Sequence, residues 1–366
     1  MKRRGFACAR GLSRLRVIAI ALVGGIWISA TVPTAQGAPC LIVTLTGTGP
    51  GPGVFNGLAG PGTLVRYGED SNNCAAVNLQ FDVGRGTTIR LSELGVSPAQ
   101  LNGIFFTHMH TDHTEGLADL VTLRWFFNGS GPKIDVICSA DSVSPLGFTV
   151  SCKNFTAHIG DAFIYSGEVA QRHSEDPPNR TAGGPADMIH TITFEPKDES
   201  QVVWSSGDVK VSAIRSTHIV GHASYRVDTP AGSVVIGGDA GNDALAPPRP
   251  FSTSTQVEKL AKGADIIVHS TIHPIMGPDN GSGMYAYAYY RQSTATDLGA
   301  MAKRADAKYL MLTHLIPAIG ADKQGPWKIP GGPLTKADYS KAVEESGFRG
   351  TIVVGTDLAS IRLPAK

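Results

Sequence analysis

The densest group of chemically active side chains lies in residues 107–116, which read THMHTDHTEG. The preceding run NGIFF is typical of a strand, and the following run GLADLVTLRWFF is typical of a helix. In an extended segment alternate side chains share one side, so His108, His110 and Asp112 can converge, whereas His113 is turned only when the helix begins. Because crowded imidazoles are costly to bury uncompensated, this spacing predicts a metal site.

Further polar side chains follow three other strand-like segments. His218 and His222 lie in STHIVGHASYRV, Asp239 follows VVIGG, and His314 follows YLML. Each of these residues alone is more typical of a structural role. Together they are placed to meet the loop at 107–116, which can offer ligands to two adjacent metal sites.

These motifs resemble the metallo-β-lactamase fold, whose signature is HxHxDH followed by three later single ligands. Within that superfamily they resemble the ribonuclease Z and arylsulfatase branch. LQFDVGRGT is similar to its FDCGEGT stretch, GGDAGND to its SGDT segment, ADIIVHST to its DLLVHEAT segment and YLMLTHL to its LILTHI segment. The interval from His218 to Tyr225 and Arg226 resembles its H-(6)-GYR pattern, with Ser224 in place of glycine. The resemblance covers about residues 41–320.

The resemblance implies two divalent metal ions bridged by Asp239. Zinc suits neutral imidazole and carboxylate ligands, and manganese and iron stay open as alternatives. The spacing to the tyrosine–arginine pair favours His218 over His222 as a ligand. The first metal would be held by His108, His110 and His218, and the second by Asp112, His113 and His314.

The resemblance also implies hydrolysis, because a metal can lower the pKa of a bound water to about 7. Asp112 would orient the nucleophile as well as bind metal, and His269 would protonate the leaving group. Ser270 stands where the family has the glutamate that follows this histidine, which puts the role of His269 in doubt. Asp82 is expected to support the metal loop from behind.

The alternation of strand-like and helix-like segments, together with the resemblance, predicts an α+β fold. We expect a four-layer αββα metallo-β-lactamase-like sandwich, in which two mixed sheets pack face to face with helices outside. Residues 38–366 would form this single domain, with an irregular insert at about 140–200 that carries a surface loop or lid at 173–187. This insert and the aromatic stretch 274–290 are expected to shape the pocket, although the aromatic side chains suit a core or lid position equally well.

Residues 1–37 have the composition of a removable export signal. Six basic residues precede an apolar run at 17–32, and the small residues of AQG at 35–37 suggest cleavage after Gly37. RRGF at 3–6 resembles a twin-arginine signal, and an ordinary secretory signal is the alternative. We therefore expect a periplasmic or secreted protein without a membrane span after signal removal.

Removal of the signal leaves four cysteines, an even number that suggests disulfides in an exported protein. Three connectivities are open, and free buried thiols are the alternative. We favour nearest-neighbour pairing, which joins Cys40 to Cys74 and Cys138 to Cys152.

Charge and chain length favour a small-molecule ester as the substrate. The mature chain has 26 basic and 31 acidic residues, a formal charge of about −5 and the wrong sign for a generic nucleic-acid surface. The interval between His218 and Asp239 is too short for the arm with which bacterial ribonuclease Z grips tRNA. We expect an aryl sulfate, phosphate or carboxylic ester or lactone, and count nucleic acid as unfavoured. A ribonuclease Z-like phosphodiesterase or nuclease, a non-catalytic metal-binding relative and a homodimeric assembly stay open.

Overall fold

The computed structural model describes residues 37–364, so the signal predicted for residues 1–37 lies, apart from Gly37, outside the described residues. Eighteen strands and ten α-helices occur in this part of the chain. The strands are β1 Pro39–Gly47, β2 Gly62–Glu69, β3 Val77–Phe81, β4 Gly103–Phe105, β5 Ile134–Ser139, β6 Ser142–Val143, β7 Thr149–Val150, β8 Ile189–Phe194, β9 Gln201–Ser206, β10 Val209–Arg215, β11 Ala223–Thr229, β12 Gly232–Ile236, β13 Ile266–Ile272, β14 Tyr309–Ile316, β15 Lys323–Gln324, β16 Trp327–Lys328, β17 Thr351–Val354 and β18 Ser360–Leu363. The helices are α1 Thr87–Glu93, α2 Thr111–Thr114, α3 Leu117–Asn128, α4 Cys152–Ala157, α5 Asp161–Tyr165, α6 Glu168–Glu175, α7 Thr255–Ala261, α8 Ala286–Tyr290, α9 Ala295–Arg304 and α10 Lys336–Glu344.

Two seven-stranded mixed sheets form the centre of the fold. The first has the strand order β18-β1-β2-β3-β4-β5-β8, and the second has the order β17-β14-β13-β12-β11-β10-β9. In the first sheet the pairings from β18 to β3 are antiparallel and those from β3 to β8 are parallel. In the second sheet the pairings from β9 to β12 are antiparallel and those from β12 to β17 are parallel. Each sheet thus joins an antiparallel half to a parallel half.

The two sheets pack face to face because alternate residues of their strands are apolar. Leu41, Val43 and Leu45 of β1 belong to one buried cluster with Val211 of β10 and Met311 of β14. The outer face of the first sheet is covered by α1 and α3, and that of the second by α7, α9 and α10. The predicted four-layer αββα sandwich is therefore confirmed.

The segment 140–200 is more regular than its sequence suggests. It contains a short hairpin of β6 and β7, three helices and β8, which pairs in parallel with β5 at the edge of the first sheet. The loop at 173–187 packs on α3, where the indole nitrogen of Trp125 donates to the carbonyl of Thr181 at 3.0 Å. The predicted surface loop is shorter than 173–187, because α6 continues to Glu175 and a 3-10 helix begins at Gly184.

Both favoured disulfides are present. Cys40 is bonded to Cys74, and Cys138 is bonded to Cys152. All four residues are buried, so each bridge is part of the core. Among residues 37–364, no helix has the length and apolar character needed to cross a bilayer.

Candidate metal centre

All seven predicted ligands converge at one end of the sandwich, where the loop after β4 meets the ends of β10, β12 and β14. Three sets of their ligand atoms each lie within 4.8 Å of one another. Apart from the half-buried His110, all of these side chains are buried. The sets are His108, His110 and His218; His108, His113 and Asp239; and Asp112, His113 and His314.

The loop after β4 divides its ligands between two sets because its backbone changes conformation at His110. His110 has an extended backbone and is the N-cap of the short helix α2, so His108 and His110 precede the helical turn. Asp112 and His113 lie on the helical turn that follows. Thr114 Oγ1 donates to the carbonyl of His110 at 3.1 Å and closes that turn. The six residues 108–113 therefore supply ligands to all three sets.

Asp82, at the end of β3, holds this loop in place. Its Oδ1 accepts from the main-chain nitrogen of Thr107 at 2.8 Å, and its Oδ2 accepts from Thr107 Oγ1 at 2.8 Å. Nδ1 of His113 lies 2.8 Å from the same Oδ2. Hydrogen bonding of Nδ1 to a carboxylate orients the ring and directs Nε2 toward the other ligands. Asp82 adopts a positive φ of 53°, a strained conformation that is typical of functional sites.

The two glycines before Asp239 are required by close packing. A Cβ on Gly237 would lie 2.1 Å from Cδ2 of His269. A Cβ on Gly238, whose φ is +61°, would lie 2.8 Å from Cβ of Thr107. Only glycine lets the backbone bring Asp239 this close to the loop after β4.

The carboxylate of Asp239 lies between two of the ligand sets, which we call the outer sets. One outer set is His108, His110 and His218, and the other is Asp112, His113 and His314. Oδ2 of Asp239 is 3.7 Å from Nε2 of His218, 3.5 Å from Nε2 of His113 and 3.4 Å from Nε2 of His314. The position is therefore suited to a ligand shared by two cations. Nε2 of His113 and Oδ1 of Asp239 are buried without a hydrogen-bond partner, and such atoms are costly unless a cation satisfies them.

The ionisation of the site is dominated by burial and by its carboxylates. Burial lowers the pKa of His218 to about 4, so this ring is neutral at physiological pH. Burial also acts to lower the pKa of His113, but the charges of Asp239 and Asp82 raise it well above its ordinary value. Burial acts to raise the pKa of Asp239, but His314 and His113 hold it well below the usual range. Asp239 is thus ionised although it is buried, and an ionised carboxylate is a good ligand for a cation.

His222 lies beside the ligands but uses both of its ring nitrogens elsewhere. Its Nε2 accepts from the main-chain nitrogen of Asp239 at 3.2 Å, and its Nδ1 lies 2.7 Å from Oγ of Ser216. Oγ of Ser216 lies 2.8 Å from Oγ of Ser224. The hydroxyl of Ser224 in turn donates to the carbonyl of Gly237. His222 belongs to none of the three sets of ligand atoms. This network positions Asp239.

His269 does not reach the open surface of the site. It is fully buried, its Nδ1 lies 2.7 Å from the carbonyl oxygen of Ser270, and its Nε2 has no partner. Together with Asp239 and His314 it lines a small cavity of about 20 Å³, which has room for about one water. The role of His269 as proton donor stays a prediction. From this buried position it would have to pass the proton to the substrate through a water in that cavity.

An open cleft of about 960 Å³ leads from the ligands to the surface. His110 and His218 line this cleft together with residues of the 142–150 hairpin. The stretch 274–290, which was expected to shape the pocket, does not line the cleft, and Tyr285 and Tyr287 stack on each other at the surface instead.

Arg291 is a site residue that the sequence did not reveal. It lines the cleft, and its Nε is buried without a partner. Burial is the largest cause of the lowered pKa of His110, and the charge of Asp239 opposes it. The positive charge of Arg291 adds to the lowering. The ring of Tyr287 is centred 5.9 Å from its guanidinium carbon. Arg291 belongs to no recognised motif, and only the packing of α8 and α9 brings it to the site.

Comparison with known proteins gives relatives over nearly the whole chain. Ribonuclease Z of Mycobacterium bovis is 25% identical over 325 residues, which cover 88% of this chain and 98% of the relative. The family model described as anti-Pycsar protein Apyc1 matches residues 72–151, which include the HxHxDH loop and the 142–150 hairpin.

Solved structures share the fold. The metallo-β-lactamase fold protein YhfI of Bacillus subtilis superposes with a TM-score of 0.55 at 16% identity, covering 89% of this chain and 100% of its own. The short form of human tRNase Z superposes with a TM-score of 0.54 at 18% identity, covering 88% of this chain and 100% of its own.

The sequence-based expectation that nucleic acid is unfavoured as a partner is wrong. It rested on net charge and on the missing arm, but the relatives that align along 88% of this chain are ribonucleases. Net charge is a poor guide here because a few positive charges within one cleft determine the local field.

Proposed function

Because this chain belongs to the metallo-β-lactamase-fold superfamily, on its ribonuclease Z branch, we propose that it is a metal-dependent hydrolase that cleaves phosphodiester bonds of RNA. The observation that carries this proposal is the position of Asp239 Oδ2 within 3.7 Å of histidines from both outer ligand sets. A hydrolase that must neutralise a phosphodiester and activate water would benefit from two cations held by adjacent ligand sets.

The residues fit two zinc ions. His108, His110 and His218 would hold one ion, Asp112, His113 and His314 would hold the other, and Asp239 would be shared. Zinc suits this set because its ligands are imidazoles and carboxylates, with Asp82 orienting the ring of His113 and Thr107 Oγ1 orienting the ring of His108. When bound, the metals would supply Lewis acidity and a lowered pKa for water.

Around these ligands, the side chains of this chain would position the substrate. Asp112 lies 3.3 Å from Nε2 of His314 and 3.6 Å from Nε2 of His113, so its carboxylate stands among the candidate ligands, where it would accept a proton from a water and orient it. Arg291 would bind a phosphate oxygen, since its guanidinium lines the cleft next to His218. Hydrolysis would then leave a phosphomonoester on one product and a hydroxyl on the other.

Selection of the RNA would differ from that of an enzyme with a tRNA-binding arm. β11 and β12, which separate His218 from Asp239, are joined by a tight turn in which Thr229 Oγ1 donates to the carbonyl of Gly232 at 2.8 Å. No arm is present between these strands. We therefore propose that the cleft itself selects the RNA.

Export of the protein stays part of the proposal. Two disulfides in the described chain support an oxidising compartment, such as the periplasm or the exterior of the cell. Detection of mature protein that begins at Ala38 in a periplasmic or culture fraction would support export. Recovery of the intact chain from cytosol would count against it.

A small aryl ester is the second candidate substrate, because apolar side chains such as Leu146 and Phe148 line the cleft. One hydrolysis screen decides between the two. The metal-loaded protein should cleave a short single-stranded oligoribonucleotide and bis(p-nitrophenyl) phosphate faster than p-nitrophenyl sulfate or p-nitrophenyl acetate. Asp239→Ala should abolish the activity, and Asp208→Asn, in an exposed turn, should retain it. Faster turnover of the sulfate or the acetate would contradict the phosphodiesterase proposal.

A further inference from the structure

A hairpin with an apolar tip stands beside the candidate metal centre. Its strands β6 and β7 pair Ser142 with Val150 and Val143 with Thr149, and residues 144–148 form the tip. At this tip, Leu146 is 82% exposed and Phe148 is 69% exposed. Two large apolar side chains so exposed at one loop tip are a sign of a binding surface.

The hairpin and the candidate ligands share one cleft. Leu146 and Phe148 line the same 960 Å³ space as His110 and His218. The base of the hairpin also touches the loop that carries His218, since a Cβ on Gly221 would lie 3.2 Å from Oγ of Ser142. A molecule whose reactive bond lies at the ligands can therefore extend a second group to the tip.

The tip is held in position by the chain itself. The Cys138–Cys152 disulfide closes the segment at its base, and Ser151 Oγ donates to Asp141 Oδ1 at 2.6 Å. Within the tip, the main-chain nitrogen of Phe148 donates to Ser144 Oγ at 3.1 Å. A preorganised surface binds a partner with a smaller loss of conformational entropy.

We propose that Phe148 and Leu146 form a subsite for an unpaired nucleobase of the RNA, next to the scissile phosphate. This inference rests on the phosphodiesterase function proposed above. A nucleotide combines a flat apolar base with an anionic phosphate, and the cleft combines this apolar tip with the cationic Arg291. The bases of a duplex are stacked within the helix and cannot reach such a tip, so the substrate is single-stranded.

The test compares two trinucleotides, an adenine trinucleotide and its counterpart with abasic riboses, as substrates of the metal-loaded protein. Phe148→Ala should raise KM for the adenine trinucleotide about tenfold, because a stacked base is lost, while kcat stays within about twofold. The same variant should leave KM for the abasic trinucleotide unchanged. Phe148→Trp should retain the wild-type KM for both.

Phe127→Ala is the matched control, because Phe127 is 76% exposed on α3 and does not line the cleft. It should change neither KM. An equal rise of KM for both trinucleotides on Phe148→Ala, or no rise for either, would overturn the subsite.

Failure of the proposed function gives a different result. If the wild-type protein cleaves neither trinucleotide, the phosphodiesterase proposal fails, and the subsite is then decided by equilibrium binding of the adenine trinucleotide. Binding that Phe148→Ala weakens and Phe127→Ala preserves would support the subsite. Absence of binding to the wild-type protein would overturn it as well.

Discussion

The main-chain nitrogen of Asp239 donates a hydrogen bond to Nε2 of His222 at 3.2 Å, and this bond occupies the ring nitrogen that would otherwise face the ligands. His222 and His218 lie four residues apart at one end of β11 and are both buried. The hydrogen bond separates their roles: His218 is free to bind a metal, whereas His222 orients the backbone of the proposed bridging carboxylate.

The first prediction compares these two histidines. His218→Ala should remove about one metal equivalent and most of the activity, because it deletes a ligand. His222→Ala should retain both metals and lose about 10- to 100-fold in activity, the usual effect of removing a residue that supports a ligand. Metal analysis and turnover of each folded variant provide the measurement. An empty site in His222→Ala together with two metals in His218→Ala would reverse the assignment.

The second prediction concerns Asp239. Asp239→Ala removes the negative charge placed between two dications, so their repulsion is less compensated. The variant should lose at least one metal and nearly all activity, as measured by metal content against a circular-dichroism check of folding. A folded variant with two metals and normal turnover would refute the two-metal hydrolase.

The third prediction concerns Arg291. Arg291→Ala should raise KM for an oligoribonucleotide at least tenfold, since a hydrogen bond between charged groups contributes about 1.5–3 kcal/mol. The logarithmic salt dependence of binding should also become shallower by about one unit, because one phosphate contact is lost. Arg349→Ala, an exposed change outside the cleft, is the control. An unchanged salt dependence would show that Arg291 does not bind phosphate.

The fourth prediction concerns the disulfides. Their cysteines are separated by 34 residues for Cys40–Cys74 and by 14 residues for Cys138–Cys152. Replacing either pair by alanine should lower the free energy of unfolding by about 2–5 kcal/mol, with the larger loss for the longer loop. Urea denaturation of each double variant measures the loss. An equal free energy of unfolding for the wild-type protein with and without a reducing agent would contradict this prediction.

The fifth prediction concerns the pH dependence of stability. Burial acts to raise the pKa of Asp265, but its hydrogen bonds with Lys308 and Ser233 lower it overall below the usual range. Its contribution to stability is therefore present above the unfolded-state pKa of about 3.9 and is lost as pH falls through the lower folded-state pKa. Asp265→Asn should lower the free energy of unfolding by about 1 kcal/mol at pH 7, and the difference should shrink below pH 4. Urea denaturation across this range, with Asp208→Asn as the control, tests it. A pH-independent difference would show that the charge of Asp265 does not matter.

The sequence by itself determined the fold and the set of candidate ligands. The strands were predictable because alternating and continuous apolar runs, such as LIVTL in β1 and LMLTHLI in β14, report which faces are buried. The HxHxDH loop was recognisable because its ligands are local, and local spacing limits which side chains can share a cation. The even number of cysteines predicted disulfides, and the favoured nearest-neighbour pairing among three possible connectivities is the one observed.

Only the tertiary structure decided the roles that depend on contacts between distant segments. The hydrogen bond that removes His222 from the ligand set joins the start of β11 to the loop after β12. Arg291 and the tip with Phe148 lie about 140 residues apart in the sequence and face one cleft. The burial of His269 follows from the packing of β13 within the second sheet. No local pattern encodes these relationships, because each depends on the packing of two sheets against each other.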